Sequence, residues 1–338
     1  MDSVRFYSAD EVHTALSLPA LADAIALALR ADVMAPLRHA HAISATESLL
    51  LMPAWSAQDG AIGVKLVTVF PGNRSDKGAV GVASTNTGQP ANRGAEDDDR
   101  RPSTVNAVYV MFDRRSGIPR AVIDGEALTL RRTAAASLLA ARYLARPDAR
   151  KVLIVGCGRL ARYMAHGHCN GRDISQLSIW GRTHARAESL ASTLREDGWP
   201  AVAVKDLQLA VAEADIISCA TTATAPIVLG AWLAPGVHLD LVGAFKRGMR
   251  EVDDAAVARS RVYVDTYAGA LAEAADVIEP LERRVIQRAH VLGELRELVT
   301  GTVGGRRSAH EITLFKSVGT AIEDLAAAQL LLQMNELV

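Results

Sequence analysis

The sequence predicts an α/β protein with a doubly wound parallel sheet and a second, β-rich domain. Three observations carry this. The second half alternates short apolar runs with helical stretches, the pattern of a parallel sheet covered by helices on both faces. One of those runs, Val152, Leu153, Ile154, Val155, leads straight into Gly156-Cys157-Gly158-Arg159-Leu160-Ala161 and then into a helix. The first half instead carries strand-like runs separated by polar turns.

Taken in order, Ser8 and Glu11 have capping-box spacing and start one helix. Pro19 sits in the first turn of a second, which runs to residue 34. Strands are expected at 48–52, 62–69 and 106–112, and a turn at 113–117 leads to a returning strand at 120–124. Between residues 73 and 102 the chain is rich in Gly, Ser, Asn and Asp and includes Asp97, Asp98 and Asp99. It has no apolar period, which predicts a mobile, solvated loop. From Thr129 a helix runs through Leu144 and ends before Pro147. Beyond the glycine loop, strands are expected at 177–180, 201–204, 215–219, 236–242 and 261–265, with helices at 183–196 and 255–259 between them. The tail, 312–338, reads as one long helix that returns to the first domain. The expected partition is residues 1–128 with 309–338 for the β-rich domain, and 129–308 for the parallel-sheet domain.

Composition narrows the function classes. The chain has 338 residues, a net charge of -1 and 4% aromatic residues, with neither the basic stripe nor the stacking aromatics of a nucleic-acid binder. The most apolar window, 18–37, is interrupted by Asp23, Arg30 and Asp32, and so predicts no membrane span. The first residues lack the apolar core of a signal peptide. Three cysteines, Cys157, Cys169 and Cys219, cannot build a disulfide framework and fit a reducing compartment. A cytoplasmic protein is the expectation.

The glycine loop has the form of a Rossmann dinucleotide fingerprint. Gly156 permits the tight turn, Gly158 lets backbone approach a pyrophosphate, and Ala161 is small enough for helix to pack on strand. The helix that starts here offers free N–H groups and a positive dipole end to the phosphates. Where an NAD site places an acid on the ribose, after the next strand, this chain has Gly181, Arg182 and Thr183. A guanidinium fork and a hydroxyl suit a 2′-phosphate. NADPH is therefore the expected cofactor, with NADH as the alternative if Arg182 is a solvated turn residue.

Three basic residues are candidates for chemistry. Lys65 lies within Gly63-Val64-Lys65-Leu66-Val67, where burial makes an unpaired ammonium costly and its pKa movable. Arg132 opens the helix that leads into the cofactor domain, and Arg38 follows the second helix. Basic residues converging from separate segments make a carboxylate cradle, although each alone also reads as a surface ion pair. His166 and His168 are two apart on a helix and point to different faces, so no metal site is expected. Ser137 lies in an alanine-rich packing helix, and nothing supports nucleophilic hydrolysis.

With these residues in view, the chain resembles the ornithine cyclodeaminase/mu-crystallin family over nearly its whole length. The matching pieces are Leu51-Met52-Pro53, Lys65 with Phe70-Pro71-Gly72-Asn73, residues 130–137, the Gly156 loop, Val242-Gly243-Ala244 with Arg250 and Glu251, and residues 315–319 with Glu323 and Asp324. The resemblance implies a homodimer whose β-rich domain, completed by the C-terminal helix, supplies substrate residues and the dimer interface. It implies that Arg38, Lys65 and Arg132 hold the substrate carboxylate, beside Met52. It assigns cofactor contacts to Thr104, Arg132, the loop from Gly156 through Cys157, Gly158, Arg159 and Leu160 to Ala161, then Arg182, Thr183, Ala220, Thr221, Thr222 and Lys316.

One departure bears on the reaction. Cyclodeaminases carry an aspartate in a Gly-Asp-x-Pro-Gly-Lys pattern, where this chain reads Gly243-Ala244-Phe245-Lys246-Arg247-Gly248. Phe245 cannot accept a proton and suits a substrate that is already cyclic. The resemblance therefore implies an NADPH-dependent reductase of cyclic imino acids, converting 1-pyrroline-2-carboxylate to L-proline and 1-piperideine-2-carboxylate to L-pipecolate. Lys65 is its expected catalytic residue and Phe245 an apolar wall. The competing readings are an ornithine cyclodeaminase, an alanine-type amino-acid dehydrogenase, and a non-catalytic NADPH- or ligand-binding protein of the mu-crystallin kind.

Overall fold

The computed structural model describes residues 4–56, 61–74 and 104–336. The loop expected between 73 and 102 lies outside them except for its first two residues. In chain order the strands are β1 (Arg5–Tyr7), β2 (Val33–Met34), β3 (His39–Ala42), β4 (Ser48–Ser56), β5 (Ala61–Val69), β6 (Val105–Asp113), β7 (Pro119–Asp124), β8 (Lys151–Val155), β9 (Gln176–Trp180), β10 (Ala201–Ala203), β11 (Ile216–Cys219), β12 (His238–Leu241), β13 (Arg261–Val264), β14 (Val291–Glu294) and β15 (Thr313–Lys316). The α-helices are α1 (Ala9–Ala15), α2 (Leu18–Arg30), α3 (Gly125–Leu144), α4 (Arg159–Cys169), α5 (His184–Glu196), α6 (Leu207–Glu213), α7 (Asp254–Arg259), α8 (Tyr267–Glu273), α9 (Ala275–Glu282), α10 (Leu295–Thr300) and α11 (Ala321–Glu336).

The strands form two sheets. The first runs β1-β7-β6-β5-β4-β2, with β3 also on β4, and is antiparallel except where β1 joins β7. Its register places Met52, Lys65, Tyr109 and Ile123 side by side across four strands, on the face covered by helices. The next row on the opposite face is Pro53, Val64, Val110 and Val122, only partly buried. Period-two alternation thus gives one deeply buried face and one apolar face that no element among the described residues covers.

The second sheet is all parallel, in the order β10-β9-β8-β11-β12-β15-β13-β14. The chain moves from β8 outward to β9 and β10, then returns to the other side of β8 as β11. That reversal makes a switch point at the C-terminal ends of β8 and β11, where open α/β sheets bind ligands.

Helix α3 joins the two sheets. Asp124 caps it by accepting from the Ala127 N–H, and its alanine-rich middle is buried against α2 and α4. The C-terminal helix α11 does return to the first sheet, packing on β4, β5, α2 and α3. Leu325 and Leu331 are almost fully buried there, worth about 1.5–3 kcal/mol each. The Ser8–Glu11 capping box forms as expected. No single helix among the described residues is long and apolar enough to cross a membrane.

The tail departs from expectation. Residues 313–316 are not helical but form β15, inserted between β12 and β13 of the parallel sheet, and α11 starts only at Ala321. A boundary at 308/309 therefore cuts β15 away from its own sheet. A run of four residues, Thr313 to Lys316, is too short to show a period that tells strand from helix, and its pairing partners β12 and β13 lie far away in the chain. The second helix likewise stops at Arg30, and Val33–Met34 pairs with β4 instead.

Candidate active site

Lys65 is 2% exposed on β5, beneath α11. Its ammonium donates to Asp324 Oδ1 at 2.8 Å, lies 2.7 Å from Oδ2, and reaches Thr129 Oγ1 at 3.3 Å. Arg132, one turn further along α3, donates from Nε to the same Asp324 at 3.1 Å and from Nη1 to Glu323 at 2.8 Å. Its Nη2 makes no hydrogen bond among the described residues. Glu323 and Asp324 fall in the first turn of α11, where the helix dipole favours negative charge. Three elements therefore bring two cations and two anions into one buried cluster.

The loop entering α11 closes this cluster from one side. Asp265, at the end of β13, accepts from the Val318 and Gly319 N–H groups at 2.7 Å each. Arg38 donates to the Val318 carbonyl at 2.8 Å and the Gly319 carbonyl at 3.1 Å, and pairs with Glu273 at 3.0 Å. Gly319 has φ +84°, and a Cβ there would collide with the Arg132 guanidinium. Glycine is required both by the left-handed backbone and by the close approach. Arg38, Lys65 and Arg132, expected to converge from separate segments, are brought to the N-terminal end of α11 and the loop that enters it.

Burial sets the protonation of this cluster. It pulls the Lys65 ammonium down to about 8 against the attraction of Asp324. It pushes the Glu323 carboxyl up to about 7 against Arg132, and raises Asp265 against its backbone hydrogen bonds. Met52 and Tyr109 flank Lys65 on neighbouring strands and are themselves buried, so the ammonium has apolar or phenolic walls on both sides. A lysine near neutrality in a dry setting is suited to giving up a proton.

The predicted dinucleotide loop stands at the switch point. Gly156 has φ +125° and donates its N–H to the Trp180 carbonyl at 2.9 Å, which turns the chain sharply after β8. Gly158 is the N-cap of α4 and supplies no side chain to the helix end, and a Cβ at Gly158 would meet nothing within 4 Å. The first-turn N–H groups thus face open space of the kind a pyrophosphate fills. Ala161 is fully buried beneath them, Cys157 is half-buried with Sγ 3.7 Å from the Trp180 carbonyl, and Arg159 pairs with Glu126. Ala220, Thr221 and Thr222 follow β11 on the other side of the crevice. Arg182 and Thr183 are exposed beyond β9, and Thr183 is the N-cap of α5 with its hydroxyl uncommitted to the cap. These residues fit a nicotinamide dinucleotide.

Other expected residues fall differently. Thr104 lies at the start of β6, where its carbonyl accepts from the Phe70 N–H at 2.7 Å. Phe245 is 41% exposed on the loop after β12. Lys316 is 0% exposed and its ammonium faces Asp276 at 3.5 Å and Glu251 at 4.0 Å. It stands behind the cofactor loops, enclosed by acids, and offers no surface to a cofactor. His168 is buried on Asp240 at 2.7 Å, which also takes Ser137 and Ser218, so this histidine belongs to a packing network under the sheet.

Asp265, Tyr109, Asp276 and the roles of Glu323, Asp324 and Glu251 escaped assignment from sequence. One signal was available. Glu323 and Asp324 share a helical stripe with Ala327 and Ala328, all buried, and two acids in an apolar stripe demand partners.

Comparison with known proteins shows the family. The model of the ornithine cyclodeaminase/mu-crystallin family matches residues 4–335. The Delta(1)-pyrroline-2-carboxylate reductase of Paracoccus denitrificans is 37% identical over 286 residues, covering 84% of this chain and 82% of its own. The ketimine reductase mu-crystallin of Mus musculus is 32% identical over 336 residues, covering 96% and 95%. A solved structure of the Thermococcus litoralis Delta(1)-pyrroline-2-carboxylate reductase in complex with NADH and L-proline matches with a TM-score of 0.87 at 30% identity, covering 98% of both chains.

Proposed function

The chain belongs to the ornithine cyclodeaminase/mu-crystallin family, and we propose that it is a nicotinamide-dependent reductase of cyclic imino acids. Its substrate is 1-pyrroline-2-carboxylate, reduced to L-proline, with the six-membered homologue as a second substrate. The observation that carries this reading is a buried lysine drawn toward neutrality, clustered with Arg132 and Arg38 about one loop of a dinucleotide-binding sheet. The stretch from Gly243 to Gly248 holds no acid, so nothing there serves the side-chain amine that ring closure of ornithine requires.

The bound cofactor supplies hydride to the imine carbon. The chain's residues do the rest. Arg132, whose Nη2 has no hydrogen-bond partner among the described residues, and Arg38 take the carboxylate and so fix which face of the ring is presented; such orientation is worth several kcal/mol of barrier. Lys65 gives its proton to the ring nitrogen: an N–H bond forms there as one Nζ–H bond breaks, and the amine regains its proton from solvent. Asp324 holds Lys65 in place before transfer. The buried Met52 and Tyr109 keep water from the ammonium.

The cofactor preference is NADPH, supported by Arg182 and Thr183, with no ion-pair partner for Arg182 among the described residues. The uncovered apolar face of the first sheet, including Leu66, Val64 and Val110, is the surface through which two copies form a homodimer. Free thiols at Cys157, Cys169 and Cys219 suit a reducing, cytoplasmic setting. The test is consumption of reduced cofactor with 1-pyrroline-2-carboxylate, run beside ornithine with ammonia detection. Saturable imine reduction without ammonia supports the reading; ammonia and proline from ornithine would overturn it.

A further inference from the structure

A second buried charge cluster lies within the parallel-sheet domain, and the chemistry above does not use it. Its centre is Glu251, 1% exposed. The carboxylate accepts four hydrogen bonds from two different loops. Oε1 takes the Thr221 N–H at 2.8 Å and the Thr221 hydroxyl at 2.9 Å. Oε2 takes the Gly243 N–H at 2.8 Å and the Ala244 N–H at 3.3 Å. Thr221 follows β11, and Gly243 follows β12, the next strand in the sheet. The two loops press so closely that a Cβ at Gly243 would collide with the Thr221 carbonyl.

Behind Glu251, Lys316 lies at the end of β15 with no hydrogen-bond partner among the described residues. It is 4.0 Å from Glu251 and 3.5 Å from Asp276. Asp276 in turn accepts from the backbone N–H groups of Glu251 and Val252 at 2.9 and 3.3 Å. Arg250, on the same segment, binds Asp254 and Glu279 at 2.8 and 2.9 Å. Removing charge from water is costly, and the cluster offsets that cost by placing one ammonium between two carboxylates, Glu251 and Asp276, each of which also accepts from main-chain N–H groups.

The location gives the cluster a purpose. The Gly156 turn takes the pyrophosphate and the end of β9 the adenosine ribose, which leaves the ends of β11 and β12 for the other half of the dinucleotide. We propose that Glu251 is a positioning residue for the nicotinamide half of the cofactor, bracing the Thr221 and Gly243–Ala244 loops into the shape that receives it. Lys316 keeps Glu251 ionised from behind. The inference rests on the cofactor reading of the switch point and not on the identity of the imine. Burial also pushes the Glu251 carboxyl up to about 7 against the pull of Lys316, so mild acid removes the charge that braces the loops. The groups that face it are Lys316 from β15, Asp276 from α9, Cys219 from β11, and the neighbouring Arg250.

The experiment compares wild type, Glu251→Gln and Glu251→Asp by titration with NADPH, read by cofactor fluorescence, and by steady-state kinetics with the imine. Glutamine turns an amide N–H toward backbone donors, so the cofactor Kd is expected to rise about tenfold or more. At saturating cofactor the imine KM should stay within about twofold, because the Lys65 cluster is untouched. Aspartate should recover part of the affinity. Wild-type affinity should weaken below about pH 7, and the Glu251→Gln profile should be flat there. A glutamine variant whose cofactor Kd is unchanged overturns the proposal, as does equal damage to cofactor Kd and imine KM. If Glu251→Gln does not fold, Glu251→Asp decides on the same readouts: an unaltered cofactor Kd counts against the brace, a several-fold loss for it. Wild-type protein that binds no nicotinamide cofactor would sink the cofactor reading itself, a result distinct from an insensitive Glu251 variant.

Discussion

Two lysines, Lys65 and Lys316, are buried on strands of different sheets, and each is balanced by carboxylates, yet their surroundings differ in kind. Lys65 bonds directly to Asp324 and shares it with Arg132, a side-chain cluster with one guanidinium nitrogen left over. Lys316 makes no hydrogen bond among the described residues, and Glu251 and Asp276 beside it each accept from backbone N–H groups. The first arrangement can exchange its partners for a ligand, because side-chain acids are free to give up a cation. The second cannot, because its acids are holding main chain. On the proposed reading, the same residue types serve chemistry in one place and loop geometry in the other.

The largest expected break in this contrast is Arg132→Ala. It leaves Glu323 without its counter-charge and Asp324 with Lys65 alone, and it removes the proposed carboxylate fork, so stability should fall by about 3–5 kcal/mol in denaturant titration. Arg132→Lys keeps the charge but not the fork, and should raise the imine KM by about tenfold or more. Cofactor affinity surviving in that variant would show that the two clusters are separable; a joint loss would show that they are not.

Next in size is the pH dependence of imine reduction. In the proposed reaction the proton donor is the charged form of Lys65, whose pKa burial has pulled down to about 8. That form is present below this value and is lost as pH rises, so kcat/KM should fall about tenfold per unit above it. In Lys65→Arg the limb should vanish along with most of the activity. A profile flat to high pH would detach Lys65 from proton transfer.

Smaller effects sharpen the cofactor side. Arg182→Ala should weaken NADPH by about tenfold while leaving NADH nearly unchanged, measured as a ratio of dissociation constants. Equal losses would return Arg182 to the role of a solvated turn residue. Smallest in its effect on catalysis is Leu66→Lys on the outer face of the first sheet. It should convert dimers to monomers by light scattering, with kinetic constants within about twofold if each site is complete in one chain.

Much of this was legible before any coordinates. Strands β4 to β7 announce themselves by length, alternation and the turn at Asp113–Gly117, and the Gly156 loop by a strand before it and a helix after it. Lys65 stands out because a single charge in an apolar strand needs an explanation. What stayed hidden depends on distance in the chain. Asp324 lies 259 residues from Lys65 and Glu323 lies 191 from Arg132, and no local period connects them. Strand β15 reads as a helix entry because its four residues acquire strand character only from β12 and β13. Lys316, which the resemblance places among the cofactor contacts, lies on this same central strand and is enclosed there, a burial that its sequence neighbours do not announce. Glu251 was visible as part of a motif, but its work consists of bonds to backbone, which no side-chain pattern reveals.

The most direct test of the account is single-turnover hydride transfer to 1-pyrroline-2-carboxylate by Lys65→Ala with cofactor saturating, alongside its NADPH dissociation constant. The account predicts a rate lower by about a hundredfold or more with the dissociation constant unchanged. Hydride transfer at the wild-type rate, or a loss that merely follows weakened cofactor binding, would contradict it.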